Sequence, residues 1–348
     1  MRFVEQFTRN NHYIPQLYLR SWSIDTKKLW QYRLLVSNEN VPLWKNTSIK
    51  EVGYHTDLYS GILNGKETDE IERFFQKEIE EPVRPVLDKI ENRENLTKSN
   101  LEIIVRFLAA QYVRTPARYF RHKPIYDYLI PTLLETNLRN TIRKAESALQ
   151  HNLPISSSAK GSKWFPYRTE TVKSLEQGKK LVYFEVLCDR QIWFLEMEKI
   201  LNDTYKCLLD HRWTFVEAAT GVTFYTSDDS VLSVRNDGNG EIMGDGAWSR
   251  AGTNIIFPLS PRFLMYTEVG SEEDDSIMQK EPLFSFLFQR YIIRHAFRSI
   301  YSIRQSPLIS QCRERIVDEA QFNKERNEMA NWHKIQTEAE MQFKNPTL

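Results

Sequence analysis

A short stretch near the N-terminus mixes polar and aromatic side chains and reads Asn11-His12-Tyr13-Ile14-Pro15-Gln16-Leu17-Tyr18-Leu19-Arg20-Ser21-Trp22. A core segment is more uniformly apolar, and a solvated tail carries fewer Tyr, Leu and Trp residues. Pro15 has a fixed φ and disfavours helix in the residue before it. The stretch therefore predicts an extended lead-in that ends in a helical turn over residues 16–22, with His12 at the junction.

The composition is that of a globular, helix-rich chain. Of the 348 residues, 41% are hydrophobic and 27% are charged, and 19 Phe, 16 Tyr and 8 Trp suffice for a large core. The length favours two domains or one large one. Because the formal net charge is only +1, a site for nucleic acid or another polyanion has to be a local patch.

Cysteine usage and hydropathy predict a cytoplasmic protein without a membrane span. The three cysteines, at positions 188, 207 and 312, are far apart and odd in number, which argues against a disulfide framework and a cysteine zinc site. The seven His are scattered, so we expect no metal site. The sequence predicts neither a signal peptide nor a membrane-spanning helix.

Hydrophobic periodicity separates strand-rich from helix-rich segments. Short alternating runs in the first sixty residues predict strands, and from Trp213 onward such runs return. The helical period holds between them. The predicted helices include runs at about 125–149, 172–209 and 283–301, and a last one from Pro307.

Two local signals bear on the helices of the middle segment. Ser99 followed by Glu102 is a capping box, which predicts that a helix begins there. Pro82 and Pro85 interrupt an otherwise helical rhythm and predict a kink or a break.

These patterns predict an α+β fold. We expect the N-terminal and late strands to form one mixed or antiparallel sheet, with a large helical insert between them and helices at the C-terminal end. The predicted division is a single domain over residues 1–305, with its insert at about 68–210, and a C-terminal helix and polar tail over residues 306–348.

The opening junction supplies the first candidate site residues. His12, at the end of a strand, can orient a ligand hydroxyl or move a proton. Gln16 and Arg20 follow one helical turn apart, so both can face the same cleft. The alternatives are a buried His12 bonded to a carbonyl oxygen and a solvated Arg20.

Two tyrosines further on are candidates for stacking. Tyr54 and Tyr59 lie near strand ends and can pack on a planar ring such as nicotinamide or a base. Tyrosines in such places also occur as core residues with a hydrated hydroxyl, and both interpretations stay open.

A basic stretch follows the helix that ends near Pro116. Arg114, Arg118, Arg121 and Lys123 are interleaved with aromatic residues, a mixture that suits phosphate binding with base stacking in RNA or DNA. A solvated helix end has the same composition.

The residues that end a later strand carry adjacent carboxylates. Asp228 and Asp229 can act in acid–base chemistry or bind a ribose hydroxyl, and Ser227 can orient them. The alternative is a turn whose side chains bond its own backbone.

Four ordered segments resemble a large bacterial family known only as a domain of unknown function. Its members open with His-Tyr-x-Pro-Gln-x-Tyr-Leu-x-x-Phe, which residues 12–22 match with Trp22 in the last place. The later segments are Gln111-x-x-Arg114-Thr115-Pro116, Thr226-Ser227-Asp228 and Phe257-Pro258-Leu259-Ser260-Pro261. The resemblance covers about residues 10–305 and departs at residues 229–230, where a small residue and Pro are usual. It implies a toxin in phage defence, with an antitoxin or inhibitor protein as a partner.

A looser resemblance is to ADP-ribosyltransferases, and it implies NAD as the cofactor. In those enzymes an early His holds the NAD ribose, tyrosines stack on nicotinamide, and a later carboxylate supports the cationic centre. The resemblance gives these roles to His12, to Tyr54 or Tyr59, and to Asp228, with Glu268 as the other acid considered.

The resulting site prediction has three groups. They are the catalytic residues His12, Tyr54 and Asp228, the cofactor-binding residues Gln16, Arg20, Tyr59 and Ser227, and the nucleic-acid-binding residues Arg114, Arg118, Arg121 and Lys123.

Three functional hypotheses stay open. The leading one is an ADP-ribosyltransferase-like enzyme that uses NAD to modify nucleic acid or protein. The second is a nuclease that cleaves RNA or DNA. The third is a non-enzymatic binding or regulatory module, in which the polar motif residues only fix the N-terminal junction.

Overall fold

Strands from both ends of the chain meet in one sheet of the computed structural model, which describes residues 7–63, 66–151, 167–173, 180–236, 242–272 and 282–344. The strands are β1 (Asn10–His12), β2 (Lys28–Arg33), β3 (Leu35–Val36), β4 (Trp44–Ser48), β5 (Tyr54–Thr56), β6 (Gly61–Leu63), β7 (Lys66–Thr68), β8 (Tyr167–Lys173), β9 (Lys180–Val186), β10 (Thr214–Glu217), β11 (Thr226–Ser227), β12 (Leu232–Asn236), β13 (Ile242–Asp245), β14 (Thr253–Pro258), β15 (Phe263–Glu268), β16 (Ser299–Ser302) and β17 (Ile316–Val317).

The helices lie between groups of these strands along the chain. They are α1 (Gln16–Leu19), α2 (Glu70–Phe74), α3 (Glu81–Glu91), α4 (Lys98–Val113), α5 (Pro116–Gln150), α6 (Arg190–Asn202), α7 (Pro282–His295), α8 (Leu308–Cys312), α9 (Glu319–Ala330) and α10 (Trp332–Lys344). Shorter 3-10 turns lie at Arg20–Trp22, Ile49–Glu51 and Thr204–Asp210, and a π-helical segment lies at Phe75–Glu80. None of the described helices is both long enough and apolar enough to span a bilayer.

The sheet that joins the two ends of the chain has the strand order β11-β16-β2-β4. Its neighbouring strands are antiparallel, and Ser299 of β16 lies opposite Arg33 of β2. The predicted α+β fold is confirmed, and one N-terminal pair of strands meets late strands in this sheet.

A second sheet is built from late strands alone. Its order is β10-β15-β14-β12-β13, and it is antiparallel throughout. Ile255 and Phe257 of β14 belong to a core cluster shared with α4, whereas Ile256 between them belongs to a cluster shared with α7. Because strand side chains alternate between faces, this sheet separates two hydrophobic cores. The late strands thus form two sheets where one was predicted.

The predicted helical run at 172–209 is wrong in its first half. Strands β8 and β9 form an antiparallel hairpin there, and a helix begins only at Arg190. Residues 180–186 read Lys-Leu-Val-Tyr-Phe-Glu-Val, and β-branched and aromatic side chains favour strand. The Asp189 carboxylate accepts a hydrogen bond from the Gln191 N–H at 3.0 Å and so caps α6.

The predicted helix at about 283–301 also ends early. Helix α7 stops at His295, and β16 follows it and pairs with β2 and β11. The Asp228 carboxylate fixes the intervening turn by accepting hydrogen bonds from the N–H groups of Phe297 at 2.9 Å and Arg298 at 2.7 Å. Tertiary pairing therefore overrides the local helical pattern.

The helix is not broken at Pro82 and Pro85, and the kink that was the other expectation stays a prediction. The π-helical segment leads directly into α3, and Pro82 lies in the first turn of α3. Pro85 lies inside α3.

Helix α4 has a different cap from the predicted Ser99–Glu102 box. Thr97 is the capping residue, and its hydroxyl accepts a hydrogen bond from the Asn100 N–H at 3.2 Å. The Asn100 side chain accepts one from the Thr97 N–H, also at 3.2 Å. The capping pair thus begins two residues earlier than predicted.

Residues beyond 306 pack against the same core. Trp332 of α10 is buried in the cluster that contains α4, and its indole N–H donates to the Leu58 carbonyl at 3.2 Å. Arg190 of α6 and Glu340 of α10 form an ion pair at 2.8 Å, and both side chains are 0% exposed. The boundary predicted at residue 306 stays a prediction.

Tyr18 connects the N-terminal segment to two late segments. Its hydroxyl donates to the Pro258 carbonyl at 2.5 Å and lies 2.8 Å from the Thr226 hydroxyl. The Trp22 indole N–H donates to the Phe224 carbonyl at 3.0 Å. The opening stretch is therefore held by buried hydrogen bonds to backbone and hydroxyl groups near β11 and β14.

Replacing Tyr18 with Phe should lower the free energy of unfolding by about 1–3 kcal/mol, because the buried Pro258 carbonyl loses its donor. Urea denaturation measures the change. Tyr128→Phe is the matched control, since Tyr128 is 77% exposed. Equal stability of the two variants would contradict a role for the Tyr18 hydroxyl.

Replacing Glu340 with Gln should cost about 3–5 kcal/mol of unfolding free energy, because Arg190 keeps a buried charge without its ionic partner. The double variant Arg190→Met with Glu340→Leu should recover much of that loss, since it removes both charges. A double-mutant cycle by urea denaturation tests the coupling, and strictly additive losses would contradict it.

Candidate functional site

A cavity of about 820 Å³ lies against one face of the four-stranded sheet. Gln31 and Arg33 of β2 line it together with Ser299 of β16, since residues two apart in a strand share a face. Eight residues of α9 form another wall. The other lining residues are Tyr13, Leu35, Tyr54, His55, Pro116, Ala117, Phe120, Asp228, Phe297 and Arg298.

Asp228 is the buried acid of this cavity. It follows β11 directly, and its carboxylate accepts the two backbone hydrogen bonds from Phe297 and Arg298. Burial raises the pKa of the Asp228 carboxyl to about 6, although these backbone hydrogen bonds act in the opposite direction. A carboxyl group with that pKa exchanges protons near neutral pH, as acid–base chemistry requires.

Asp229 turns away from the cavity and is paired elsewhere. Its carboxylate lies 2.5 Å from a guanidinium nitrogen of Arg121 and 3.0 Å from Nε2 of His295. Burial raises the pKa of the Asp229 carboxyl, but His295 and Arg121 together lower it to about 2. The two adjacent acids therefore differ in role, because one lines the cavity and the other anchors α5 to α7.

Aromatic rings make up much of the cavity wall. Tyr54 is 38% exposed and lies at the rim of the buried region. Phe120 and Phe297 are stacked, with their centroids 6.4 Å apart and their planes 20° apart. Burial raises the pKa of the Tyr13 hydroxyl, and the nearby Asp228 charge raises it further. A planar, partly apolar ligand suits such a surface.

His55 and Arg33 add buried polar atoms to this lining. Among the described residues, neither Nδ1 of His55 nor Nε of Arg33 has a hydrogen-bond partner. Burial lowers the pKa of the His55 imidazole, whereas hydrogen bonds to the carbonyls of Thr56 and Met329 act against that shift. Both residues line the cavity.

His12 and Gln16 lie beside the cavity and do not line it. Their side-chain nitrogens are 3.3 Å apart, and the His12 ring is 5.4 Å from the ring of Tyr54, its cross-strand neighbour. Burial lowers the pKa of His12 to about 4, and the Arg114 charge contributes to the shift. His12 is therefore neutral at physiological pH, and its ring contacts Tyr54, which lines the cavity.

Arg114 clamps the backbone of the opening stretch. Its guanidinium donates to the carbonyls of His12 and Tyr13, the latter at 3.0 Å, and pairs with Glu80 at 3.0 Å. The Arg114 side chain is 0% exposed. The structure thus brings Arg114 to the backbone of His12 and leaves Arg114 no exposure to a polyanion.

The other residues predicted for cofactor binding lie away from the cavity. Tyr59 is buried between Phe75 and Trp193, and its hydroxyl donates to the Arg114 carbonyl at 2.5 Å. Arg20 is exposed in its 3-10 turn.

Ser227 and Glu268 do not line the cavity either. The Ser227 hydroxyl donates to the Asp229 carbonyl at 2.8 Å within a tight turn, as in the alternative that we considered. Glu268, the other acid considered, is exposed at the end of β15.

The basic stretch is largely neutralised by carboxylates. Arg118 donates to Glu196 at 2.8 Å, and Lys123 pairs with Asp127 one helical turn away at 2.6 Å. Arg121 holds Asp229. Paired cations attract phosphates less than free ones.

Sequence reasoning missed Tyr13, Arg33, His55 and Arg298 as cavity residues. Alternation carried a usable signal for some of them, because successive residues in an extended segment point to opposite sides. That rule allows only one of His12 and Tyr13 to face the cavity. Arg298 gave no such signal, since its position depends on the turn that Asp228 holds. Among the described residues, no group of three or more His, Cys, Asp or Glu side chains could hold a metal ion.

Comparison with known proteins gives a family and no function. A family model described as Protein of unknown function (DUF4238) matches residues 10–306. No curated protein and no solved structure matches the chain. Because the match covers most of the chain, including Tyr13, Tyr54, Asp228 and the whole of the four-stranded sheet, the protein belongs to this family of unknown function.

Proposed function

We propose that the cavity binds NAD and that the protein is an ADP-ribosyltransferase-like enzyme with a nucleic acid or protein acceptor. One observation carries the proposal. A buried carboxyl group, several aromatic rings and guanidinium groups line the same cavity of about 820 Å³. That volume falls in the range of small-molecule sites, and so does the mixture of apolar walls with a few polar groups.

The aromatic rings are suited to the planar parts of a nucleotide. Tyr13, Tyr54 and Phe120 offer ring faces or edges to nicotinamide or adenine, which are themselves planar. In this proposal Tyr54 keeps the stacking role predicted for it. Tyr59 loses that role because it is buried in the core.

The Asp228 carboxylate supplies the negative charge next to the reacting sugar. When the bond between nicotinamide and ribose breaks, positive charge develops on the ribose, and a fixed carboxylate stabilises it. The two backbone hydrogen bonds to Asp228 hold its carboxylate in place before any ligand binds.

His12 acts as a positioning residue in this proposal. Its ring contacts the ring of Tyr54, and its carbonyl accepts a hydrogen bond from Arg114. His12 thereby orients Tyr54 and needs no contact with NAD. Gln16 supports His12 through their side-chain contact.

The two alternatives fit the contacts less well as accounts of the whole protein. A nuclease needs cations that are free for a phosphodiester, whereas Arg118, Arg121 and Lys123 are each paired with a carboxylate. The non-enzymatic hypothesis is favoured for part of the motif only, since Tyr18 and Arg114 bond backbone carbonyls. In this proposal Tyr18 and Arg114 hold the backbone around the site in position.

The purified protein should bind and consume NAD, and Tyr54→Ala should weaken NAD binding about 5- to 100-fold, the range for loss of one stacking contact. Isothermal titration calorimetry measures the affinity, and release of nicotinamide measures consumption. Tyr128→Ala is the matched control, because Tyr128 is an exposed tyrosine outside the cavity. No binding and no consumption of NAD with any nucleic acid or protein acceptor would overturn the proposal.

NAD consumption should rise about tenfold between pH 5 and pH 7, because the pKa of Asp228 is about 6 and its carboxylate is the active form. Asp228→Asn should reduce NAD consumption to the background level at every pH in this range. The stability of the folded protein runs the other way. Since the folded pKa lies above the unfolded value of 3.8, the folded state binds more protons between about pH 4 and 6, and stability falls as the pH rises through that window.

Urea denaturation across the same pH range separates the two effects of Asp228. The wild-type protein should lose part of its stability between about pH 4 and 6, and Asp228→Asn should show a smaller loss there. A flat activity profile in a wild-type protein that does consume NAD would contradict the role of the Asp228 carboxylate.

A further inference from the structure

Cationic side chains are concentrated on part of the cavity lining. Arg33 comes from β2, Arg298 from the turn before β16, and Lys324 and Arg326 from α9. The carboxylates among the lining residues are Asp228, Glu325 and Glu328. Asp228 is already engaged by two backbone N–H groups. Lys324 and Arg326 are exposed, so the half-buried Arg33 and Arg298 are the cations placed to bind an anion inside the cavity.

Arg33 is a half-buried cation with an unused donor. Arg33 lies opposite Ser299 in the strand register, and Ser299 directly follows Arg298 in the sequence. Its buried Nε has no hydrogen-bond partner among the described residues. Such a group costs free energy until a partner arrives, and a guanidinium group matches the oxygens of a phosphate.

Arg298 is occupied by a side chain of α9. Its Nε and Nη2 donate to the two carboxylate oxygens of Glu325 at 2.8 and 2.7 Å, which is the bidentate geometry that arginine also uses with phosphate. The Phe297 ring lies under the guanidinium, 4.3 Å from its central carbon. Glu325 thus takes up the donors that a phosphate group in the cavity would use.

The ion pair between Glu325 and Arg298 is weak enough for a ligand anion to replace Glu325. The two side chains are 30% and 26% exposed, and ion pairs with that exposure contribute about 0–1 kcal/mol. Helix α9 has no buried residue, whereas α10 is fixed by the fully buried pair of Arg190 and Glu340. The wall of the cavity that carries Glu325 is therefore held less firmly than the helix that follows it.

We infer that Arg33 and Arg298 form a phosphate subsite of this cavity, which Glu325 occupies until the phosphate of a nucleotide displaces it. The inference rests on the proposed function and makes it more specific. The aromatic part of the cavity takes the base, and the guanidinium groups take the phosphate. Glu325 then lowers the affinity for anionic ligands, which have to displace it, and leaves the affinity for uncharged ligands unaffected.

Calorimetric titration of the full chain with AMP and with adenosine tests the subsite, because the two probes differ only in the phosphate. The wild-type protein should bind AMP more tightly than adenosine. Arg33→Gln should weaken AMP binding about tenfold or more, as expected for a lost charge-assisted hydrogen bond, and leave adenosine binding unchanged. Equal losses for both probes would overturn the subsite.

The displacement by phosphate is tested with Glu325→Gln. This variant should tighten AMP binding by about two- to fivefold, the range for removing an exposed ion pair, with no change for adenosine. Glu319→Gln is the matched control, because it removes the same charge from the same helix and Glu319 does not line the cavity. If Glu325→Gln leaves AMP binding unchanged or weakens it, Glu325 is only a structural contact and the displacement is refuted.

The same titrations distinguish this inference from the proposed function. A wild-type protein that binds none of NAD, AMP and adenosine refutes the nucleotide site as a whole. A protein that binds NAD and treats AMP and adenosine alike keeps the nucleotide site and refutes the phosphate subsite. Melting temperatures of all variants show that each one is folded when it is titrated.

Discussion

The buried hydroxyl of Tyr18 lies where the N-terminal segment meets the late strands, and the position of the cavity depends on it. It bonds the Pro258 carbonyl and contacts the Thr226 hydroxyl, so it joins the second sheet to β11. Asp228 follows β11 directly, and its carboxylate sets the turn that leads into β16. Because β16 then pairs with β2, one phenol links the opening segment to the sheet that carries Arg33.

Most residues of the segments that resemble the family motifs hold the backbone around the cavity in place, and few of them line it. Arg114 holds the carbonyls of His12 and Tyr13, and Tyr18 holds Pro258. Only Tyr13, Pro116 and Asp228 from these segments line the cavity itself. A buried guanidinium or phenol bonded to backbone fixes geometry, and pre-fixed geometry is what a binding site requires. Segments far apart in sequence can therefore belong to one site although only some of their side chains would contact a ligand.

The α+β class and many of the strands could be predicted because alternation and helical rhythm are local, whereas β9 and most of β16 were predicted as helix. Gln31 and Arg33 fall on one face of an alternating strand, and that pattern was visible in the sequence. The choice between Asp228 and Asp229 was not visible, since it depends on His295 and Arg121 reaching Asp229 from two different helices. The basic stretch misled partly for the same reason, because Glu196 of α6 pairs with Arg118 only in the folded chain. The pairing of Lys123 with Asp127, four residues on in the same helix, is local and could have been predicted. The place of α9 beside the sheet likewise follows from tertiary packing.

The pairing of β2 with β16 has a consequence for how the protein is made. The Gln31 amide donates to the Ser299 hydroxyl across 268 positions of the chain, and contacts between such distant residues form late and slowly. During synthesis β2 leaves the ribosome long before its neighbour exists, and it exposes an unpaired edge in the meantime. The nascent chain therefore holds no complete cavity, and a ligand has nothing to bind until β16 and α9, which supply part of the lining, have been synthesised.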